Sequence, residues 1–148
     1  MAINKKNSVA YIALVVMDES RKGIIVHNET IEYILPKDNC KYWCLMKACR
    51  QVLQVIGKLA DSKVIDYDTI VKVIVPSKVF IGWMEKGKAV EPYRYAFDNF
   101  LRDCENAPCE LEFIYERLTS SNRASCYADA SYVPKEKYQS VLEVYANA

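Results

Sequence analysis

The apolar positions at the start of the chain run together before they alternate. Val9 to Met17 reads VAYIALVVM, almost unbroken and rich in β-branched residues, which predicts a central strand covered on both faces. The stretch GIIVHNETIEYILP then alternates, with Thr30, Glu32 and Ile34 on one face and Ile31, Tyr33 and Leu35 on the other. It predicts two further strands turning at His27-Asn28-Glu29. Together the three make an antiparallel meander, which Pro36 ends.

Beyond Pro36 the period changes. Asp38 and Asn39 suit a helix cap, and Leu45, Cys49, Val52, Leu53 and Ile56 follow at helical spacing, predicting one amphipathic helix over roughly Lys41 to Leu59. The polar stretch ADSKVIDYD leads to TIVKVIV, a short buried strand that Pro76 stops. Val79, Phe80, Trp83 and Met84 are spaced for a short helix closed by Gly87. A second helix begins near Pro92, which fits a first turn, and places Tyr93, Ala96, Phe97, Phe100, Leu101 and Cys104 on one face. In CELEFIYERL, Leu111, Phe113 and Tyr115 oppose Glu110, Glu112 and Glu116, the alternation of a half-exposed strand. The polar loop TSSNRAS precedes two helical stretches, CYADASYV and KEKYQSVLEVYANA, separated or kinked at Pro134.

The order is β-β-β-α-β-α-α-β-α. It predicts an α/β fold: a mixed five-stranded sheet, meander first and alternating helices and strands after, with helices on its faces. A chain of 148 residues without repeat, low-complexity tract or linker reads as a single domain over 1–148.

Charge narrows the partners. Lys plus Arg number 20 against 19 Asp plus Glu, so no global field draws the chain to a polyanion, and any such site is a local patch. Two lysines before an apolar run give the N-terminus the outline of a signal peptide. Asp18 and Glu19 close that run without a small-residue cleavage site, and it is about half the length that spans a bilayer. The expected location is the cytoplasm, with no membrane partner. The six cysteines, with Cys40/Cys44 and Cys104/Cys109 off the spacing of zinc ribbons and His27 the single histidine, read as reduced thiols, several of them buried.

This element order resembles the ribonuclease H family (type 1 ribonuclease H fold) over nearly the whole chain, and short motifs add to the likeness. In that family the first strand ends in a catalytic Asp followed by a small or polar pair, and VVMDES supplies Asp18. The family's first helix begins with Glu before Leu-Met-Ala; CLMKA offers Leu45 and Met46, with Cys44 at the Glu position. Its fourth strand ends in Asp-Ser, where VIVPSKVF sets Pro76 and Ser77. After the fifth strand come a loop, often with a His, and a helix opening on Ala-Asp or Cys-Asp. TSSNRASCYADAS sets Ala128-Asp129 at that pair, with no histidine in the loop.

The resemblance implies phosphodiester hydrolysis by two divalent ions, Mg2+ or Mn2+, held by several carboxylates. Asp18 and Asp129 are then the remnant catalytic residues and metal ligands. The other two acidic positions hold a proline, which cannot ligate, and a neutral thiol, a poor partner for a hard ion. Without the family, Asp18 reads as a residue taking backbone hydrogen bonds in the turn to Gly23, and Asp129 as a helix N-terminal acid.

Two functions follow. One is a catalytically inactive ribonuclease H-like module that binds nucleic acid (an RNA/DNA hybrid or RNA) or a protein, such as an accessory or inhibitory protein of a mobile element. The alternative is a divergent metal-dependent ribonuclease cleaving RNA in RNA/DNA hybrids, with Glu19, Asp38 or Asp66 as a substitute ligand. For binding, Lys78, Trp83, Lys86 and Lys88 lie on or just after the helix that, in the resembling family, helps grip the hybrid's DNA strand. Basic and aromatic residues together suit phosphate contact and stacking. Trp83 also shares a face with Val79 and Phe80, the spacing of a core residue. The 11 tyrosines, Tyr42, Tyr93 and Tyr95 among them, suit either a partner surface or partial burial with hydroxyls outward. A tyrosine-faced oligomer subunit is a third role such a fold can host.

Overall fold

A computed structural model describes residues 1–6, 9–18, 24–34 and 41–117. In chain order these form β1 (Ala2–Lys6), β2 (Val9–Asp18), β3 (Ile24–Ile34), α1 (Lys41–Asp61), β4 (Ile70–Val75), α2 (Lys78–Lys86), α3 (Arg94–Glu105) and β5 (Glu110–Tyr115). The fold is mixed α/β. The described residues divide between two compact units, the meander before residue 38 and the segment Asn39–Arg117. The helical stretches expected after the TSSNRAS loop lie outside the described residues, as does the cap expected at Asp38 and Asn39.

The first unit is antiparallel in the order β1-β2-β3. Its strands differ from those expected in two respects. The polar AINKK forms a short strand on β2, running Ala2↔Ala13 to Lys6↔Val9, and its paired lysines are the usual dress of a sheet margin. His27, Asn28 and Glu29 do not turn: they lie within β3 opposite Val16, Val15 and Leu14. A ten-residue β2 offers continuous ladder partners, and those hydrogen bonds outweigh the local turn preference of Asn. His27 and Glu29 project from one face, as a period of two requires, with Nε2 and Oε1 3.4 Å apart. The register shifts by one residue between Val16 and Met17, leaving Val26 as the extra residue of a bulge. Ile12 and Leu14 are buried, and exposure rises toward the end of β2, reaching 40% at Met17.

In the second unit, β4 and β5 are parallel, from Ile70↔Glu110 to Val75↔Tyr115, with α2 and α3 forming the crossover between them. The pairing extends past both ends: Glu110 N–H donates to Thr69 C=O at 3.2 Å and Glu116 N–H to Val75 C=O at 3.2 Å. Val73 and Val75 face inward while Ile70 and Lys72 face solvent, so TIVKVIV is a strand covered fully on one face. Phe80, Phe97 and Phe100 are fully buried, and their rings meet edge to face or tilted, at 5.7 Å for Phe80–Phe97 and 6.2 Å for Phe97–Phe100. Phe100 carries the cluster to Phe113 of β5 at 5.9 Å, an 82° edge contact. Trp83 and Tyr93 carry it to Tyr42 and Trp43 of α1, with Tyr42–Trp83 at 5.1 Å and Trp43–Tyr93 at 4.9 Å.

Helix α1 matches its periodic pattern and runs to Asp61. Its first half is buried on more than one face, at Cys44, Leu45, Met46, Ala48 and Cys49. Helix α3 begins at Arg94, so Pro92 precedes it instead of occupying its first turn; the Glu91–Pro92 peptide is cis. No helix among the described residues is long and apolar enough to cross a membrane.

Candidate nucleic-acid interface

The residues chosen for binding gather on α2, and its two ends are set by local chemistry. At the start, Ser77 is extended and its Oγ accepts a hydrogen bond from Phe80 N–H at 3.2 Å. Ser77 is therefore a helix N-cap. At the end, Gly87 takes φ 69° and ψ 24°, a left-handed conformation that costs glycine little, and its N–H donates to Trp83 C=O. Lys88 N–H bonds the same carbonyl at 3.1 Å, which closes the turn.

Between the caps the side chains sort by face. Phe80 and Trp83 point into the aromatic cluster, and Lys78 and Lys86 point to solvent, with Lys88 exposed just beyond. Among the described residues no carboxylate lies within ion-pairing distance of these three ammonium groups. Lys78 Nζ instead stands 5.4 Å from the ring centre of Tyr115, where β5 ends. Trp83 must be corrected as a stacking residue. It is 5% exposed, wedged against Tyr42, Phe80, Tyr93 and Phe97, so its ring offers no platform to a base. Its spacing with Phe80 carried that outcome; Val79, the third member of that expected face, is exposed.

Two features of this surface escaped the sequence reading. Tyr115 shares its face of β5 with Leu111 and Phe113, which made it look like core, yet it is 36% exposed because it lies at the strand's carboxyl end. Gly82 sits between Lys78 and Lys86 at i+4, a spacing visible in SKVFIGWMEK. The tyrosines divide as well: Tyr42 and Tyr93 belong to the ring cluster, and Tyr95 is largely exposed.

Of the four positions that the resemblance would make acidic, Asp18 closes β2 opposite Ile24, and Asp129 lies outside the described residues. Cys44 is 2% exposed within α1, and Pro76 follows directly on β4. Among the described residues no three His, Cys, Asp or Glu side chains are gathered as a metal centre would need. Asp66, a possible substitute ligand, accepts hydrogen bonds from its own turn, Asp68 N–H at 2.9 Å and Thr69 Oγ1–H at 3.2 Å. A shallow groove of about 330 Å³, bordered by Arg50, Gln54 and Asp103, contains none of the candidate residues.

Cys49, Cys104 and Cys109 are free thiols. Burial pushes the Cys49 thiol far above its ordinary range, with Cys104 adding to the effect. Cys104 is pushed up to about 12 by burial and then by the neighbouring Asp103 and Glu105 carboxylates, and Cys109 is raised by burial. Such thiols stay protonated and are poor nucleophiles and poor metal ligands at neutral pH. Cys40 and Cys126 lie outside the described residues.

No family model, curated protein or solved structure matches this chain. The resemblance to the ribonuclease H family is thus a reading of the sequence, and the structure departs from it at the start, where Asp18 ends the second strand and not the first.

Proposed function

We propose that this chain is a ribonuclease H-like module that has lost part of its acidic metal site and acts by binding nucleic acid. The observation that carries the reading is the chemistry at two of the four acidic positions. Cys44 is a buried thiol and Pro76 has no donor atom, so Asp18 and Asp129 would be left to hold Mg2+ or Mn2+ without the carboxylates that a two-ion mechanism needs. Nucleic acid is favoured over a protein target by the exposed ammonium groups of Lys78, Lys86 and Lys88, which have no carboxylate partner among the described residues and suit phosphate oxygens. The proposal includes the finer architecture, one five-stranded mixed sheet, and a cytoplasmic location.

Incubation of an end-labelled RNA/DNA hybrid with the protein in Mg2+ and, separately, in Mn2+ tests it. The expected result is an intact hybrid in both metals, with binding by fluorescence anisotropy that weakens in the Lys86→Ala/Lys88→Ala double variant. Metal-dependent cutting that disappears in both Asp18→Asn and Asp129→Asn would instead establish a divergent nuclease.

A further inference from the structure

Helix α2 carries on its solvent side two residues that work against the helix. Lys78 stands in the first turn, where a cation opposes the helix dipole, and no acidic residue in that turn offsets it. Gly82 lies mid-helix, where glycine is a poor former, and among the described residues nothing calls for it: a Cβ there would meet no atom within 4 Å, and its φ is not positive. With Lys86 the two occupy positions i, i+4 and i+8, a single stripe turned away from the buried Phe80 and Trp83. The lysines are about 12 Å apart along the axis, with Gly82 between them and the exposed Glu85 carboxylate flanking the stripe on one side. Gly57 of α1 is equally open, but its neighbours four residues away are Leu53 and Asp61, so no cationic stripe runs past it. At the other end the stripe meets the Tyr115 ring through the ammonium of Lys78. Fold-disfavouring residues placed together on an exposed face, beside unpaired cations and an accessible ring, mark a surface shaped by what docks on it.

We infer that single-stranded nucleic acid docks along α2, its phosphates on Lys78 and Lys86 with the backbone passing close over Gly82, and one base stacked on Tyr115. This rests on the binding reading above and names its ligand. A duplex keeps its bases stacked inside and has none to offer Tyr115, whereas a single strand presents a π-face at every nucleotide. A side chain at position 82 would hold the strand off the helix. Lys78 swings from the ring to a phosphate as the base arrives, exchanging an exposed cation–π contact for a charge-assisted hydrogen bond.

The test is fluorescence anisotropy with labelled oligothymidine and oligouridine, beside an RNA/DNA hybrid of equal length, using the full chain and four variants whose folding is checked by circular dichroism. Tyr115→Ala is expected to weaken single-strand binding about tenfold while Tyr115→Phe retains it. Gly82→Ala is expected to raise the thermal midpoint and yet weaken binding, opposite signs that a merely structural glycine would not give. Lys86→Ala is expected to lower the slope of log affinity against log salt by about 0.7, the share of one phosphate on a single strand. Unchanged single-strand affinity in either Tyr115→Ala or Gly82→Ala overturns the inference. Binding of the hybrid without the single strands also overturns it, and leaves the nucleic-acid reading standing. Binding of neither overturns both and turns the search to a protein partner.

Discussion

At the scale of single residues, the ends of α2 are the places where one atom decides local structure. Ser77 is 4% exposed and its hydroxyl satisfies Phe80 N–H, so Ser77→Ala is expected to cost about 1 kcal/mol, read as a lower urea midpoint. Gly87 holds φ 69°, where a Cβ is strained whatever space surrounds it, so Gly87→Ala is expected to cost about 1 kcal/mol in the same measurement. The thiols set a pH dependence. Cys104 keeps its proton in the folded chain up to about 12, against 9.0 for an unperturbed thiol, and Cys49 shifts in the same direction. Between those limits the unfolded chain releases protons that the folded chain retains, so stability falls as pH rises above 9. Urea midpoints at pH 8 and pH 10 should show that fall, and it should shrink in Cys104→Ala. For the same reason Cys49 and Cys104 should react slowly with iodoacetamide at pH 8 until the protein is unfolded.

At the scale of elements, helical periodicity was the most legible signal in the chain. Helix α1 extends two residues past the expected Leu59, and α2 ends where Gly87 said it would, because apolar spacing and a glycine stop are local properties. Strand limits were less legible. The turn expected at His27-Asn28-Glu29 is straight strand because pairing to β2, a non-local interaction, overrides local preference. The AINKK strand was hidden for the same reason: a polar strand is made by its neighbour. The crossover helices owe their seat to the rings, so Phe97→Ala, which empties a fully buried position among Phe80, Trp83 and Phe100, is expected to cost about 3–5 kcal/mol. That is a large part of the stability of an ordinary domain, and it is measurable by denaturant unfolding.

At the scale of the whole molecule, chemistry separates the two functions. If the chain is the ribonuclease H-like module proposed above, Cys44 and Pro76 stand where that mechanism would use carboxylates, and an RNA/DNA hybrid is expected to stay uncut in Mg2+ and in Mn2+, as read on a denaturing gel. The sequence alone determined the α/β class, the order of elements from α1 to β5 and the absence of carboxylates at positions 44 and 76, because periodicity, stop residues and side-chain identity are written locally. Tertiary structure decided which aromatic rings are spent inside and which remain outside. Trp83 and Tyr115 each share a periodic face with core residues, yet one closes the ring cluster and the other reaches solvent. The difference is where each face ends: Trp83 lies under Tyr93 and under Tyr42, which arrives from another helix, while Tyr115 stands at the carboxyl end of β5, beside the Lys78 ammonium. Burial depends on what packs from elsewhere, and a linear pattern holds no record of it.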